Sequence, residues 1–221
     1  MGELVSRPQR GSAAPDTGSH PPSRVHQALR RATAAAHRAL DHHPLLQRLT
    51  ARDLTRAQYA QSLAAMYAPH VRLERLVHDS RHHLESGLAL SARQEHLEAD
   101  LAQLGWPVPR ASQLTPDPAD GRAAWWGRVY VLEGSRQGSA VIARCIHTSL
   151  GDAVPCRFFA GATAPGDRRT LLATLTRALE DDDALEQAVA SARTAFAGYK
   201  AGLDGFDCEK RGVRTHQPDG R

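Results

Sequence analysis

An apolar segment in the middle of the chain carries small residues where bulky side chains would be expected. Within residues 125–149, the positions Gly134, Ser135, Gly138 and Ser139 interrupt an otherwise helix-like pattern. A glycine inside a helix costs about 1 kcal/mol relative to alanine, so two of them need a reason. Residues four apart lie on the same face of a helix. The pattern therefore predicts either close packing of two helices or the approach of a ligand to the helix backbone.

A second residue with potential chemistry is His37, which lies at the edge of an apolar stripe one turn after Thr33. The stripe recurs at three- and four-residue spacing, as in an amphipathic helix. An imidazole in that position would have its base against the core and its tip toward a cleft. The alternative is an ordinary histidine of the surface or core, and position alone does not decide between them.

Several other chemistries have no motif in this chain. The sequence holds no Walker motif, no GxGxxG after a strand and no GxSxG, so phosphate loops and nucleophile elbows are not expected. Cys145, Cys156 and Cys208 are widely spaced and form no CxxC pair. They indicate reduced thiols and argue against a zinc site or a disulfide framework.

Histidine pairs and one acidic cluster could suggest other metal sites. The dipeptides His42–His43 and His82–His83 are poor chelators on a helix, because adjacent side chains diverge by about 100°; we expect them at solvated helix ends. A di-iron carboxylate bundle needs Glu-x-x-His on two helices. The segment 79–82, with Glu74 and His78 nearby, is an approximate match for one of them only.

Helical periodicity extends through most of the chain and defines the elements that must position these residues. The predicted helices begin at Ser23, Thr55 and Ser91, continue with the segment 125–149, and end with 167–179 and 181–203. Pro44 is expected to end the first helix, and Pro69 lies inside the second. No window combines period-two alternation with hairpin signals, so no strand is expected. The prediction is an all-α fold of six or seven helices in one domain.

Composition and charge limit the environment and the partners. We expect a disordered leader at 1–22, a helical domain at 23–206 and a flexible tail at 207–221. No apolar run approaches the roughly 20 residues that span a bilayer, and no secretory signal is present, so a cytoplasmic protein without membrane contact is expected. The formal net charge of +4 lies entirely in 1–31 and 207–221. The neutral domain therefore argues against nucleic-acid binding.

Four segments of the chain form a recognisable combination: LRRATAAAHRAL at 29–40, YVLEGSRQGS at 130–139, RFFAG at 157–161 and TAF at 194–196. Together they resemble the bacterial heme oxygenases, especially the type associated with bacterial phytochromes. The resemblance covers about residues 24–206, nearly all of the expected domain. It implies an all-α heme oxygenase-like helical bundle.

The resemblance also implies a function and roles for particular residues. It makes His37 the proximal iron ligand and Gly134–Ser139 the kinked distal helix over heme, where glycine permits close backbone approach. Arg30 becomes a candidate for pairing with a heme propionate, and Thr33 and Phe196 become candidates for heme contact. Ser135, Ser139 and Arg136 could anchor ordered water that delivers protons.

The implied reaction opens heme, which is both substrate and cofactor, to biliverdin, carbon monoxide and ferrous iron. It uses dioxygen and electrons from a separate reductase or ferredoxin, since no flavin or nicotinamide motif is present. A phytochrome pathway is a candidate for using the product.

Two other readings remain open from the residues. The family pattern Gly-Ser-x-Leu-Gly-Gly is here Gly-Ser-Arg-Gln-Gly-Ser, so Gln137 and Ser139 depart from it. These departures motivate the alternative of a non-catalytic heme- or tetrapyrrole-binding helical protein. A di-iron oxidase of similar fold is the third reading, and it requires inward-facing carboxylates that the sequence does not place.

Overall fold

The computed structural model describes residues 23–84, 88–90, 92–109, 121–161 and 167–214. Within these ranges the chain forms helices and no strand, as predicted. The helices are α1 (Arg24–Asp41), α2 (Pro44–Gln47), α3 (Arg56–His78), α4 (Gln94–Gln103), α5 (Arg122–Gly134), α6 (Arg136–Leu150), α7 (Arg157–Ala160), α8 (Asp167–Ala178) and α9 (Asp182–Arg214). Short 3₁₀ turns lie at Arg48–Thr50 and Arg81–His83.

The first two long helices begin where their capping signals predict. The Ser23 side chain accepts from the backbone of His26 at the start of α1. Thr55 and Gln58 form a complete capping box at the start of α3, which continues through Pro69. A capping box satisfies two of the backbone donors that a helix start leaves unpaired. Helix α1 ends at Asp41, before Pro44.

Helix α9 is the common support of the fold, because it packs against α1, α3 and α5. The closest approaches occur at glycines. A Cβ on Gly127 of α5 would overlap the carbonyl oxygen of Ala188 on α9, and a Cβ on Gly202 would lie 2.9 Å from Pro69 Cβ. On the α1 side, Arg193 Nε donates to Ala32 O at 3.1 Å. The helix that carries His37 and the helix that ends at Gly134 therefore rest on one element.

Two buried clusters form the core. One lies around α3, α4, α6 and α7, and the other lies around α1, α5, α8 and α9. Fully buried members of the first include Leu63, Leu97, Ile146 and Phe159, and those of the second include Leu29, Trp125, Trp126 and Leu175. Burial of such side chains contributes about 1.5–3 kcal/mol each.

The segment 125–149 is not one continuous helix. Helix α5 ends at Gly134, and α6 begins at Arg136. The residue between them, Ser135, keeps helical backbone angles of φ −61° and ψ −23°. The small residues noted in the sequence thus lie where the helix breaks.

Helix α4 begins three residues later than the sequence pattern suggests. Ser91 lies outside the described residues, and the helix starts at Gln94 with Arg93 at its N-cap. The Glu74 carboxylate of α3 accepts from the backbone N–H groups of Arg93 and Gln94 at 2.8 and 3.2 Å. A carboxylate from another helix therefore satisfies the backbone donors that a local cap would serve.

The expected domain limits have different outcomes at the two ends. The leader 1–22 lies outside the described residues. At the other end α9 continues past residue 206 to Arg214, and 215–221 lie outside the described residues. Among the residues that the structure describes, no helix is long and apolar enough to cross a membrane.

Candidate active site

The glycines at the break between α5 and α6 face open space. Apart from the backbone of its own helix, a Cβ added at Gly134 or at Gly138 would meet no atom of the described residues within 4 Å. This differs from Gly127 and Gly202, where neighbouring helices fill that space. Helix packing therefore explains the glycines at 127 and 202 and does not explain those at 134 and 138. The arrangement leaves room for a ligand against the α5–α6 backbone.

The His37 ring is oriented by a carboxylate of its own helix. Its side chain is 63% exposed, and its Nδ1 lies 2.8 Å from Asp41 Oδ2 one turn later. A carboxylate only accepts hydrogen bonds, so this contact assigns the proton to Nδ1 and leaves the Nε2 lone pair for a ligand. Carboxylates that hold the second nitrogen in this way orient metal-ligating histidines and raise their basicity.

Phe196 of α9 lies beside His37, with ring centroids 6.0 Å apart and the planes tilted by 60°. Phe196 is 8% exposed and packs in the core cluster shared by α1, α5 and α9. The structure therefore brings together the predicted ligand and the predicted heme-contacting aromatic. An apolar ring beside the imidazole excludes water from one side of it.

The other two predicted residues of α1 occupy different environments. Arg30 is exposed and lies two turns before His37. Thr33 is buried, and its hydroxyl donates to Leu29 O at 2.8 Å. Arg30 thus remains accessible to an anionic group, whereas the hydroxyl proton of Thr33 is engaged within its own helix.

The two serines at the break bond to backbone carbonyls. Ser135 Oγ donates to Leu132 O at 2.6 Å and accepts from Arg93 Nη2 at 2.8 Å. Ser139 is 2% exposed, and its Oγ donates to Ser135 O at 3.4 Å. Both hydroxyl protons are directed at the turn itself, so these side chains stabilise the break.

Arg136 points into the protein, since it is 8% exposed and its Nη1 donates to Glu133 Oε2 at 2.6 Å. The expected role of Ser135, Ser139 and Arg136 in anchoring water stays a prediction. Water could bind these side chains only at the donor and acceptor positions that do not already contact protein. The Gln137 side chain lies outside what the structure describes.

Behind the break lies a buried polar group that sequence reasoning missed. It consists of Arg93, Glu74 and His70, which are 3%, 6% and 2% exposed. His70 Nε2 lies 3.0 Å from Glu74 Oε2. Burial lowers the pKa of His70, so the ring is held neutral. The spacing of His70 and Glu74, four residues apart on α3, is the one signal in the sequence that could have indicated the pair.

The Glu74 carboxylate stays ionised in this group. Burial alone would raise the pKa of Glu74, but hydrogen bonds from His70 and from the Arg93 and Gln94 amides outweigh burial and lower it. Glu74 thus serves the backbone of α4. Within the described ranges no group of three or more His, Cys, Asp or Glu side chains could hold a metal ion, which gives the di-iron reading no support.

One expectation for the histidine pairs is wrong. His43 is 7% exposed rather than solvated, and its Nε2 lies 3.3 Å from Asp204 Oδ1 of α9. Its Nδ1 accepts from Leu45 N at 3.3 Å. This histidine connects the turn after α1 with α9. His82 and His83 lie in the 3₁₀ turn, where His82 is exposed and His83 is half-buried.

A cavity of about 760 Å³ lies between α3, α5 and α9 and is lined by Arg72, Arg128 and Thr194, among others. His37, Gly134 and Gly138 do not line it. It is therefore separate from the candidate site.

Comparison with known proteins identifies relatives of one kind. The heme oxygenase family model matches residues 23–152. The heme oxygenase of Xanthomonas campestris is 37% identical over 116 residues, which are 52% of this chain and 68% of that protein. Heme oxygenase PigA of Pseudomonas aeruginosa is 36% identical over 89 residues, which are 40% of this chain and 45% of that protein.

Solved structures show the same fold. The heme oxygenase of Neisseria meningitidis has a TM-score of 0.65 at 22% identity, over 81% of this chain and 90% of that one. The heme oxygenase-1 of Synechocystis, solved in complex with heme, has a TM-score of 0.57 at 14% identity, over 87% of this chain and 98% of that one. The identities are low, so the agreement concerns the helical architecture.

Proposed function

Because the chain belongs to the heme oxygenase family, we propose that His37 and the Gly134–Ser139 break form the two faces of its heme site. The enzyme cleaves heme to biliverdin, carbon monoxide and ferrous iron, using dioxygen and externally supplied electrons. Heme is both its substrate and its cofactor. Bound heme supplies the iron centre for the oxygen chemistry and the carbon framework that is opened.

The protein contributes binding, orientation and exclusion of water. His37 Nε2 would hold the iron, and Asp41 would keep the ring in the required tautomer. Phe196 covers one side of the imidazole. A single protein ligand would leave the iron accessible to the second reactant, and we assign Gly134 and Gly138 to that side of the site. Arg30 is exposed on the His37 helix and is suited to a propionate carboxylate.

The observation that carries the proposal is the open space beside Gly134 and Gly138. Two glycines in a helix weaken it, and in the part of the chain that the structure describes no neighbouring helix packs against them. A flat macrocycle that approaches the backbone would use it. The hydrogen bond between His37 and Asp41 supports the other half of the assignment, in which His37 is the iron ligand.

The cellular setting belongs to this proposal as well. Electrons would come from a ferredoxin or a separate reductase, since the sequence has no flavin or nicotinamide motif. A cytoplasmic enzyme that supplies bilin to a phytochrome pathway fits the type of relative that the sequence resembles. Residues 1–22 would serve as a leader outside the catalytic domain.

The direct test is to add hemin to the purified protein and follow the absorption spectrum after supplying ascorbate or a reductase system. We expect loss of the Soret band and growth of a biliverdin band. A stable complex that never turns over would favour non-catalytic heme binding instead.

The ligand assignment needs its own variant and control. His37→Ala should change the ferric spectrum, because the axial nitrogen is removed. His26→Ala, on the same helix, should leave that spectrum unchanged. An unchanged ferric spectrum in His37→Ala would overturn the assignment.

A further inference from the structure

A side chain from α4 reaches the break between α5 and α6. Helix α4 packs against α3 and α7, and Arg93 at its N-cap extends to the break. There Arg93 Nη2 donates to Ser135 Oγ at 2.8 Å. The same oxygen donates to Leu132 O at 2.6 Å. Ser135 is therefore held both from within its own turn and from a separate helix.

Arg93 is itself fixed along its length. Its backbone N–H donates to Glu74 Oε2 at 2.8 Å, and the same oxygen lies 3.0 Å from His70 Nε2. Its guanidinium carbon lies 4.9 Å from the centroid of the Phe158 ring. A guanidinium that stacks on an aromatic face and donates in a fixed direction loses little further entropy when it bonds to Ser135.

The cost of this arrangement indicates that the contact matters to the break. Arg93 is 3% exposed, and burying a charged group is unfavourable unless it is paired and hydrogen-bonded. Glu74 bonds to the backbone of Arg93, while the guanidinium bonds to the Ser135 hydroxyl. The Glu133 and Glu74 carboxylates favour the charged guanidinium electrostatically, and the hydrogen bond to Ser135 is the contact that connects it to the break.

We propose that Arg93 is a positioning residue of the active site, which fixes the break between α5 and α6 through Ser135 and so sets how the Gly134–Gly138 face meets the heme ring. The proposal rests on the heme site assigned above. Arg93 acts through Ser135, and the glycine face makes the contact with the substrate. The expected consequence is control over which meso carbon is cleaved.

The first test needs no heme. In hydrogen–deuterium exchange of the apo protein, the amides at 132–139 should exchange at least roughly tenfold faster in Arg93→Gln and in Ser135→Ala than in the wild type. The reason is that each variant loses a hydrogen bond to a charged group. Ser62→Ala is the matched control: its hydroxyl donates to Leu45 O at 2.7 Å, in a buried contact on α3. That control should leave exchange at 132–139 unchanged.

The outcome is decided by where exchange changes. Faster exchange confined to 132–139 supports the proposal that Arg93 fixes the break through Ser135. Unchanged exchange there in a folded Ser135→Ala protein overturns it, and so does an increase spread evenly over all helices. Ser135 is an exposed residue, so this variant keeps the test valid if Arg93→Gln fails to fold.

The second test measures the biliverdin isomers formed from hemin. Arg93→Gln and Ser135→Ala should shift the isomer ratio in the same direction, and the double variant should shift it by less than the sum of the two single shifts, because all three remove the contact between Arg93 and Ser135. Ser62→Ala should give the wild-type ratio. Equal ratios in all variants overturn the positioning role. If the wild-type protein does not degrade hemin, the proposed function fails, while the exchange experiment still decides whether Arg93 holds the break.

Discussion

Replacement of Gly138 by alanine should have opposite effects on the apo protein and on its reaction with heme. The new Cβ would meet no atom within 4 Å, and the residue lies in the first turn of α6. At a site that tolerates the side chain, Gly→Ala stabilises by about 0.4–1 kcal/mol, mainly because the unfolded chain loses freedom. For a domain of this size that corresponds to a rise in Tm of about 1–4 °C.

The matched control is Gly127→Ala, a glycine of the same helical segment. Its Cβ would overlap the carbonyl oxygen of Ala188, so α5 and α9 must separate. Overpacking of this kind costs typically about 1–3 kcal/mol. Thermal denaturation of the two apo variants should therefore move Tm in opposite directions.

The reaction of Gly138→Ala with heme should be impaired, although the apo protein is stabilised. The alanine methyl group would occupy the space where we place the macrocycle. Relieving the overlap between the methyl group and the ring costs about 1–3 kcal/mol. Hemin affinity or turnover should then fall about tenfold, which corresponds to about 1.4 kcal/mol. Hemin titration and the rate of Soret loss measure the two quantities.

Two results would refute this reasoning. A lower Tm in apo Gly138→Ala, similar to that of Gly127→Ala, would mean that the space is filled by protein. Unchanged hemin affinity together with unchanged turnover would mean that the glycine face lies away from the substrate.

Further predictions concern the groups that support each face. Asp41→Ala should weaken hemin binding by about 10- to 100-fold, as expected when the carboxylate that orients a metal-ligating histidine is removed, and hemin titration measures it. His70→Gln should flatten the pH dependence of Tm in the apo protein. Burial lowers the pKa of His70 below its ordinary value of 6.5, so below pH 6.5 protons bind the unfolded chain preferentially and the native protein loses up to about 1.4 kcal/mol per pH unit. Equal slopes for wild type and His70→Gln between pH 5 and 7 would contradict this.

The sequence was most informative where the signal is local. Helical periodicity and the capping residues Ser23 and Thr55 predicted the long helices, whereas an interruption within 125–149 was implied only by the resemblance to a family with a kinked helix there. Periodicity and caps depend on residues within a few positions of each other. The resemblance to heme oxygenases added His37, which periodicity alone left open.

The features that the sequence did not reveal depend on pairs far apart in the chain. The sequence places Arg93 in the first turn of a predicted helix and gives no sign of its contact with Ser135. His43 was expected in solvent because its partner, Asp204, lies on the last helix. No local pattern encodes such contacts, since each is formed only when the helices pack.

The contact between Gly127 and Ala188 also bears on the proposed heme site. Helix α9 contacts α1 through Arg193 and α5 through Gly127, so the two helices that carry His37 and Gly134 rest on the same element. Gly127 lies seven residues before Gly134, about 10 Å along the helix. A larger side chain at 127 would push α5 away from α9, and we expect this to displace Gly134. The missing side chain of Gly127 thus fixes how closely the helix that ends at Gly134 packs on α9.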